Sequence, residues 1–249
     1  MSKTYIIPIL FCAAVTIFSQ NVFGQAVSDS VNTRPVFANV EDNFYTAIGP
    51  QSRLFNGVDY EFYDPSMKGN GYFLDNASWN TGAVVYDGYR YKNVPLLYDI
   101  YADQVITLAY QSALKIQLIK DRVKSFDLLG HHIIYVEQDA ANPSSPKTGF
   151  YDELYGGKIE VLAKREKSIQ HTNGFNGAID SYFSATIDYY LYKNGVYYSI
   201  SSGGSFLKLL KDKKSDLQQY IRANKLKFNK QQKEQSMAQV AAYYDHITN

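Results

Sequence analysis

The sequence predicts a mainly β protein with C-terminal helices, a curved antiparallel meander or half-barrel of about nine or ten strands. Three observations lead there. Aromatic residues are abundant, with 23 Tyr and 14 Phe among 249 residues, and such side chains suit a pleated, half-buried surface better than a helix. Tight-turn pairs, namely Asp87-Gly88, Gly156-Gly157 and Asn194-Gly195, sit between alternating apolar runs. After Ser201 the alternation stops, and apolar residues recur at spacings of three and four among lysines.

In chain order, Met1 to Ala26 reads as a secretory signal peptide. Lys3 gives a positive start, Tyr5 to Phe18 is an apolar run, and the small residues Gly24 and Ala26 both fit a cleavage site. The run is short for a membrane span. An uncleaved anchor helix is the alternative reading. Cys12, the only cysteine, lies within the run behind Leu10 and Phe11, not behind the small residues that a lipid-anchored bacterial protein needs. Cleavage removes it, so the mature chain is expected to hold together without disulfides. About 223 residues are enough for a core to do this.

Residues 27–53 form an extended N-terminal arm, and 54–202 the antiparallel β domain. Within it, Pro65 to Gly82 is rich in Gly, Asn and Asp and reads as loop. The turn at Asp87-Gly88 pairs Tyr86 with Tyr89 and Val84 with Tyr91. A second hairpin around Gly130 puts Phe126, Leu128, Ile133 and Tyr135 on one face. Val94 to Tyr98 and Gln104 to Tyr110 are two further strands, and Leu114 to Ile119 is ambiguous between strand and helix. Gly156-Gly157 pairs Leu154 with Ile159, which sets Phe150, Asp152, Val161 and Ala163 on an apolar face and Tyr151, Glu153 and Tyr155 on the other. Asn194-Gly195 lines Ile187, Tyr189, Leu191, Val196, Tyr198 and Ile200 on one side, with Tyr190, Tyr192 and Tyr197 opposite. Residues 203–249 are the helical segment, with Met237, Val240, Ala241, Tyr244 and Ile247 as a stripe that packs on the sheet.

Charge excludes little. The 25 basic and 24 acidic residues nearly balance, which speaks against a nucleic-acid partner. The stretch from Lys208 to Lys233 is basic, with Asp212 and Asp216 its only acids, and reads as a solvated helical face or a contact for acidic lipid or glycan.

Catalytic patterns are scarce. His131 and His132 are adjacent and point to opposite faces of a strand, so they cannot share an ion, and no zinc-binding spacing appears. All four histidines read as surface or turn residues, and no metal or cofactor is expected. Ser205 follows Gly203-Gly204 without the second glycine of a nucleophile elbow, and it reads as a helix cap. Asp152, on an otherwise apolar face, has the setting of a general acid or of a strut bonded to backbone. Tyr190, Tyr192 and Tyr197 form a candidate ligand platform, to which Trp79 in the Gly- and Asn-rich loop is added. The ligand-binding candidates are therefore Tyr190, Tyr192, Tyr197, Trp79 and Asp152.

Several phrases carry a resemblance. Leu54-Phe55-Asn56-Gly57, Gly82 to Gly88 with Val94 to Asp99, Gly149-Phe150-Tyr151 before Leu154-Tyr155, and the Lys-rich ending with Tyr243-Tyr244 are similar to exported Bacteroidota proteins of unassigned function. Asp29-Ser30-Val31 matches a short O-glycosylation pattern of such proteins, one that chance also produces. The resemblance implies a Gram-negative envelope, periplasmic or outer-membrane-associated, and a non-enzymatic role. The expected function is binding of a ligand, with envelope protein, glycan or lipid as partner and no transmembrane span after signal cleavage. Two alternatives stand beside it, a carboxylate-dependent hydrolase of envelope glycans and a lipid or lipoprotein carrier. An outer-membrane barrel fits less well, since its strands run to about ten residues and these look shorter.

Overall fold

Hairpin turns organise the chain. In the computed structural model, Asp87-Gly88, Leu129-Gly130 and Asn194-Gly195 each place both central residues at positive φ, between 53° and 83°, the type I′ geometry that matches the twist of the flanking strands. The structure describes residues 52–140, 142, 145–173 and 179–248. The signal segment 1–26, the arm as far as residue 51 and Asp29-Ser30-Val31 lie outside the described residues.

Among the described residues, eleven antiparallel strands form one open, curved sheet: β1 (Val58–Asp59), β2 (Asn80–Tyr86), β3 (Tyr89–Asp99), β4 (Gln104–Leu108), β5 (Lys115–Gln117), β6 (Val123–Leu128), β7 (His131–Val136), β8 (Gly149–Gly156), β9 (Glu160–Asn173), β10 (Ile179–Lys193) and β11 (Val196–Ile200). Their order across the sheet is β1-β5-β4-β3-β2-β6-β7-β8-β9-β10-β11. The ambiguous segment 114–119 contains a three-residue strand. Tyr89 to Asp99 runs as one strand through Pro95, beside a register shift between Gly82 and Val84, where a missing backbone donor is tolerated.

The sheet curls on itself at one end. The amide of Lys167 on β9 donates to the carbonyl of Ile100 at 3.3 Å, and Lys68 forms a bridge to Tyr182 on β10. Inside the curl lie Phe73, Val84, Tyr86, Leu96, Tyr98, Phe126, Ile133 and Phe150, all buried. Burying each such side chain contributes about 1.5–3 kcal/mol relative to exposure.

Three helices follow the last strand: α1 (Gly203–Leu209), α2 (Lys214–Ala223) and α3 (Lys233–Ile247). Ser202 caps α1, its side chain taking the Ser205 amide while Ser205 Oγ accepts from the Ser202 amide, so the expected helix cap holds. Phe206, Leu210, Leu217, Met237, Val240 and Ala241 are fully buried, packed with Val161 and Leu191 of the sheet. At the far end of α3, Asp245 accepts from the Lys158 amide at 2.7 Å and from the Tyr155 hydroxyl at 3.0 Å.

Two details of the sheet differ from expectation. Gly156-Gly157 is not a two-residue turn: Asp152 pairs with Ala163 and Tyr155 with Val161, with a bulge between Glu153 and Tyr155. A register displaced by two residues keeps Asp152 on the expected face. The bulge, however, turns Tyr155 to the helix side. The second difference is length, for β9 and β10 span 14 and 15 residues. Polar residues such as Glu166, Ser168 and Gln170 hide the strand pattern there, because both faces of this stretch of β9 meet solvent in part.

Candidate functional site

Strand registers align one row of residues across the inner face: Val84, Phe126, Ile133, Asp152, Ala163, Tyr189 and Ile200. Asp152 is the one charged member. Its side chain is only 3% exposed, and the neighbouring strands supply its partners. Arg165, two residues beyond Ala163 on β9, donates to Asp152 Oδ2 from Nε at 3.0 Å and from Nη2 at 2.6 Å. His131 Nδ1 lies 2.9 Å from the same oxygen and 3.1 Å from Oδ1. The guanidinium continues to Glu234 on α3 at 2.8 Å, and Glu234 in turn accepts from the Tyr189 hydroxyl at 2.8 Å. Phe73 closes one side, with its ring edge-on to His131 and within 5.8 Å of the Arg165 guanidinium carbon.

This network links the interior of the curl to the helices. Burial disfavours the Arg165 charge, but Glu234 and Asp152 together outweigh that and raise its pKa further. Both Asp152 oxygens are engaged with cationic or imidazole nitrogens in a buried setting. The residue is therefore placed as a strut, held by the Arg165 and His131 side chains and not by the backbone amides that its sequence reading invoked. His131 is correspondingly a half-buried member of the network rather than a surface histidine. His132 turns to the other face, as expected, and meets Asp127 at 2.6 Å.

Tyr190, Tyr192 and Tyr197 gather on the outer face. Tyr192 and Tyr197 pair directly across β10 and β11, with ring centroids 4.7 Å apart. Tyr190 meets Tyr151 edge-on at 5.9 Å. Beneath Tyr190 and Tyr197 lie Val136, Tyr151 and Leu162, and among the described residues no helix joins this cluster. The three rings are half-buried. Desolvation, helped by nearby carboxylates, raises the pKa of Tyr190 and Tyr197, so both phenols remain proton donors at neutral pH.

The registers add two carboxylates to the tyrosines. Glu160 lies opposite Tyr192, and Glu153 is opposite Leu162, which is itself opposite Tyr190. Desolvation first, and then the charge of Glu153, pushes the Glu160 carboxyl above its ordinary value. Hydroxyl donors, carboxylate acceptors and flat rings thus share one sheet face, on which no helix packs among the described residues.

Trp79 is not part of that face. It packs against Tyr60, Tyr72, Leu97 and Ile106 in a separate cluster. Alternation brings the three tyrosines together and places Glu153 and Glu160 on one side of their own hairpin, but it does not join the two sets, and it singles out neither Arg165 nor Glu234. For Arg165 a signal existed, since alternation from Val161 through Ala163 carries straight to it. No comparable signal marked Glu234, because only the packing of α3 brings it to β9.

No described helix is long and apolar enough to cross a membrane, and among the described residues no group of three or more His, Cys, Asp or Glu could hold a metal ion. In comparison with known proteins, no family model, no curated protein and no solved structure matches the chain.

Proposed function

We propose that this is a non-enzymatic, exported cell-envelope protein that binds a glycan on its outer sheet face. One observation carries the reading: Tyr190, Tyr192 and Tyr197 share with Glu153 and Glu160 a face that no helix joins among the described residues. Aromatic rings offer faces on which the C–H surfaces of a sugar can rest, and the phenols and carboxylates supply donors and acceptors for its hydroxyls. The export half of the reading is supported by the apolar N-terminal run and by the resemblance to envelope proteins. A periplasmic or outer-membrane-associated location follows from it.

The test is titration of the purified protein with oligosaccharides released from Gram-negative envelopes, followed by tyrosine fluorescence and calorimetry. Binding that falls at least about tenfold in Tyr192→Ala and Tyr197→Ala, a loss of about 1.4 kcal/mol, with unfolding midpoints preserved, supports the proposal. Binding insensitive to both substitutions, or no binding to any fraction, overturns it.

A further inference from the structure

A cavity of about 230 Å³ opens in the Gly- and Asn-rich loop, away from the tyrosine face. Phe62, Tyr63, Tyr72 and Phe183 line it, with Asp64 and Met67 beside them. The rings brace one another. Tyr63 and Phe183 meet at 5.2 Å, Phe62 and Tyr72 at 6.3 Å, and Tyr63 and Tyr72 at 6.4 Å.

What the cavity lacks selects its ligand. The Tyr63 hydroxyl is spent on Asp99, and the Tyr72 hydroxyl shares its hydrogen bond with Tyr60, which also donates to Asp99 at 2.9 Å. Asn70, at the wall, receives the Tyr72 amide and donates to the carbonyl of Asp75. The aromatic lining therefore presents π surface with its polar ends already satisfied. A sugar would find few partners there. Asp64, at the rim, accepts the Ser66 amide through Oδ1 at 2.8 Å. Hydrogen bonds from Ser66 hold that carboxyl below its ordinary range, so it remains an anion.

Aromatic faces with a carboxylate at the rim attract a cation that makes no hydrogen bonds of its own. Phe62 already behaves this way within the chain, for the Lys115 ammonium sits 4.2 Å from its centroid. We propose that the cavity formed by Phe62, Tyr63, Tyr72 and Phe183 binds a quaternary or methylated ammonium group, with Asp64 as its counter-charge. The proposal is independent of the glycan reading.

The experiment is a titration of the purified chain with choline and with 3,3-dimethylbutanol, its uncharged counterpart of the same shape, followed by NMR. Choline is expected to bind at least about tenfold more tightly than the alcohol, in line with the upper range of cation–π attraction. Phe62→Leu and Phe183→Leu, both at partly exposed positions, should abolish that preference. Asp64→Asn should weaken choline binding about threefold or more, a modest loss as befits an exposed charge. Tyr192→Ala should leave it intact, which separates failure here from failure of the glycan site. Equal affinity for the two compounds, no choline binding up to tens of millimolar, or binding indifferent to both phenylalanine changes would overturn the proposal.

Discussion

The guanidinium of Arg165 on β9 lies 2.8 Å from the carboxylate of Glu234 on α3. This ion pair ties the helical layer to the inner face of the sheet at the point where Arg165 also holds Asp152. Removing one member of a buried pair strands the other charge, whereas replacing both by apolar groups of similar volume is far less costly. Asp152→Ala leaves Arg165 with Glu234 as its remaining carboxylate, so it should lose up to about 3 kcal/mol of stability. The double substitution Asp152→Leu with Arg165→Met should recover most of it, because Glu234, the carboxylate it leaves unpaired, is 30% exposed and can turn to water. Urea unfolding of the two variants checks this, and a double variant no more stable than the single one would refute the strut assignment.

Asp103 should make the fold acid-sensitive. Its carboxylate accepts from Lys120 at 2.6 Å, Lys164 at 2.9 Å and the Tyr98 hydroxyl at 2.7 Å. Desolvation is the largest single influence and pushes its pKa up, yet Lys164 and Lys120 together outweigh it and hold the carboxyl below the ordinary value of 3.8. A depressed carboxylate contributes stability above its unfolded pKa and loses it as pH falls through the folded one. Melting temperature should thus decline below about pH 4. Asp103→Asn should flatten that decline, and at neutral pH it should cost about 3–5 kcal/mol, because Lys164, itself only 7% exposed, loses its counter-ion. A variant whose acid profile parallels the parent's would show that other groups set the transition.

Glu160 has the opposite sign. Its folded pKa is raised, so it contributes most below the unfolded value and loses that contribution as pH rises through the folded one. Glu160→Gln should therefore be slightly more stable than the parent at pH 7, by about 0.5 kcal/mol or less given its partial exposure. The difference should disappear near pH 3, where the parent carboxyl is protonated. Paired thermal melts at the two pH values measure it. A destabilised Gln variant at pH 7 would mean that the carboxylate has a cationic partner.

Most of the sheet could be read from turn chemistry. Asp87-Gly88 and Asn194-Gly195 gave the registers of Tyr86 with Tyr89 and Tyr192 with Tyr197 directly, because these residues accept positive φ cheaply. Gly156-Gly157 misled because glycine permits many turns and selects none. The far ends of β9 and β10 escaped notice, since Lys164, Glu166 and Lys167 look like a solvated segment until the curl of the sheet brings Asp103 and Asp75 against the lysines. Of the candidate site, the tyrosine face followed from alternation alone. Trp79 could not be placed from sequence, because loop residues have no register.

Leu129 offers a test of the same turn logic. It occupies the first central position of the β6–β7 turn with φ of 54°, followed by Gly130 at 80°, and its side chain is substantially exposed. A left-handed conformation costs an L-residue with an ordinary side chain roughly 1–2 kcal/mol, whereas asparagine tolerates it and favours this turn. Leu129→Asn should stabilise the protein by about 1 kcal/mol. Leu129→Gly should gain less, since glycine also frees the unfolded chain, and Leu129→Val should lose stability because β-branching worsens the strain. In urea, the Asn variant should shift the midpoint upward without changing the slope. A lower midpoint for Leu129→Asn would mean that leucine contacts outweigh its backbone cost, and the hairpin would then be held by packing across Phe126 and Ile133 rather than by its turn.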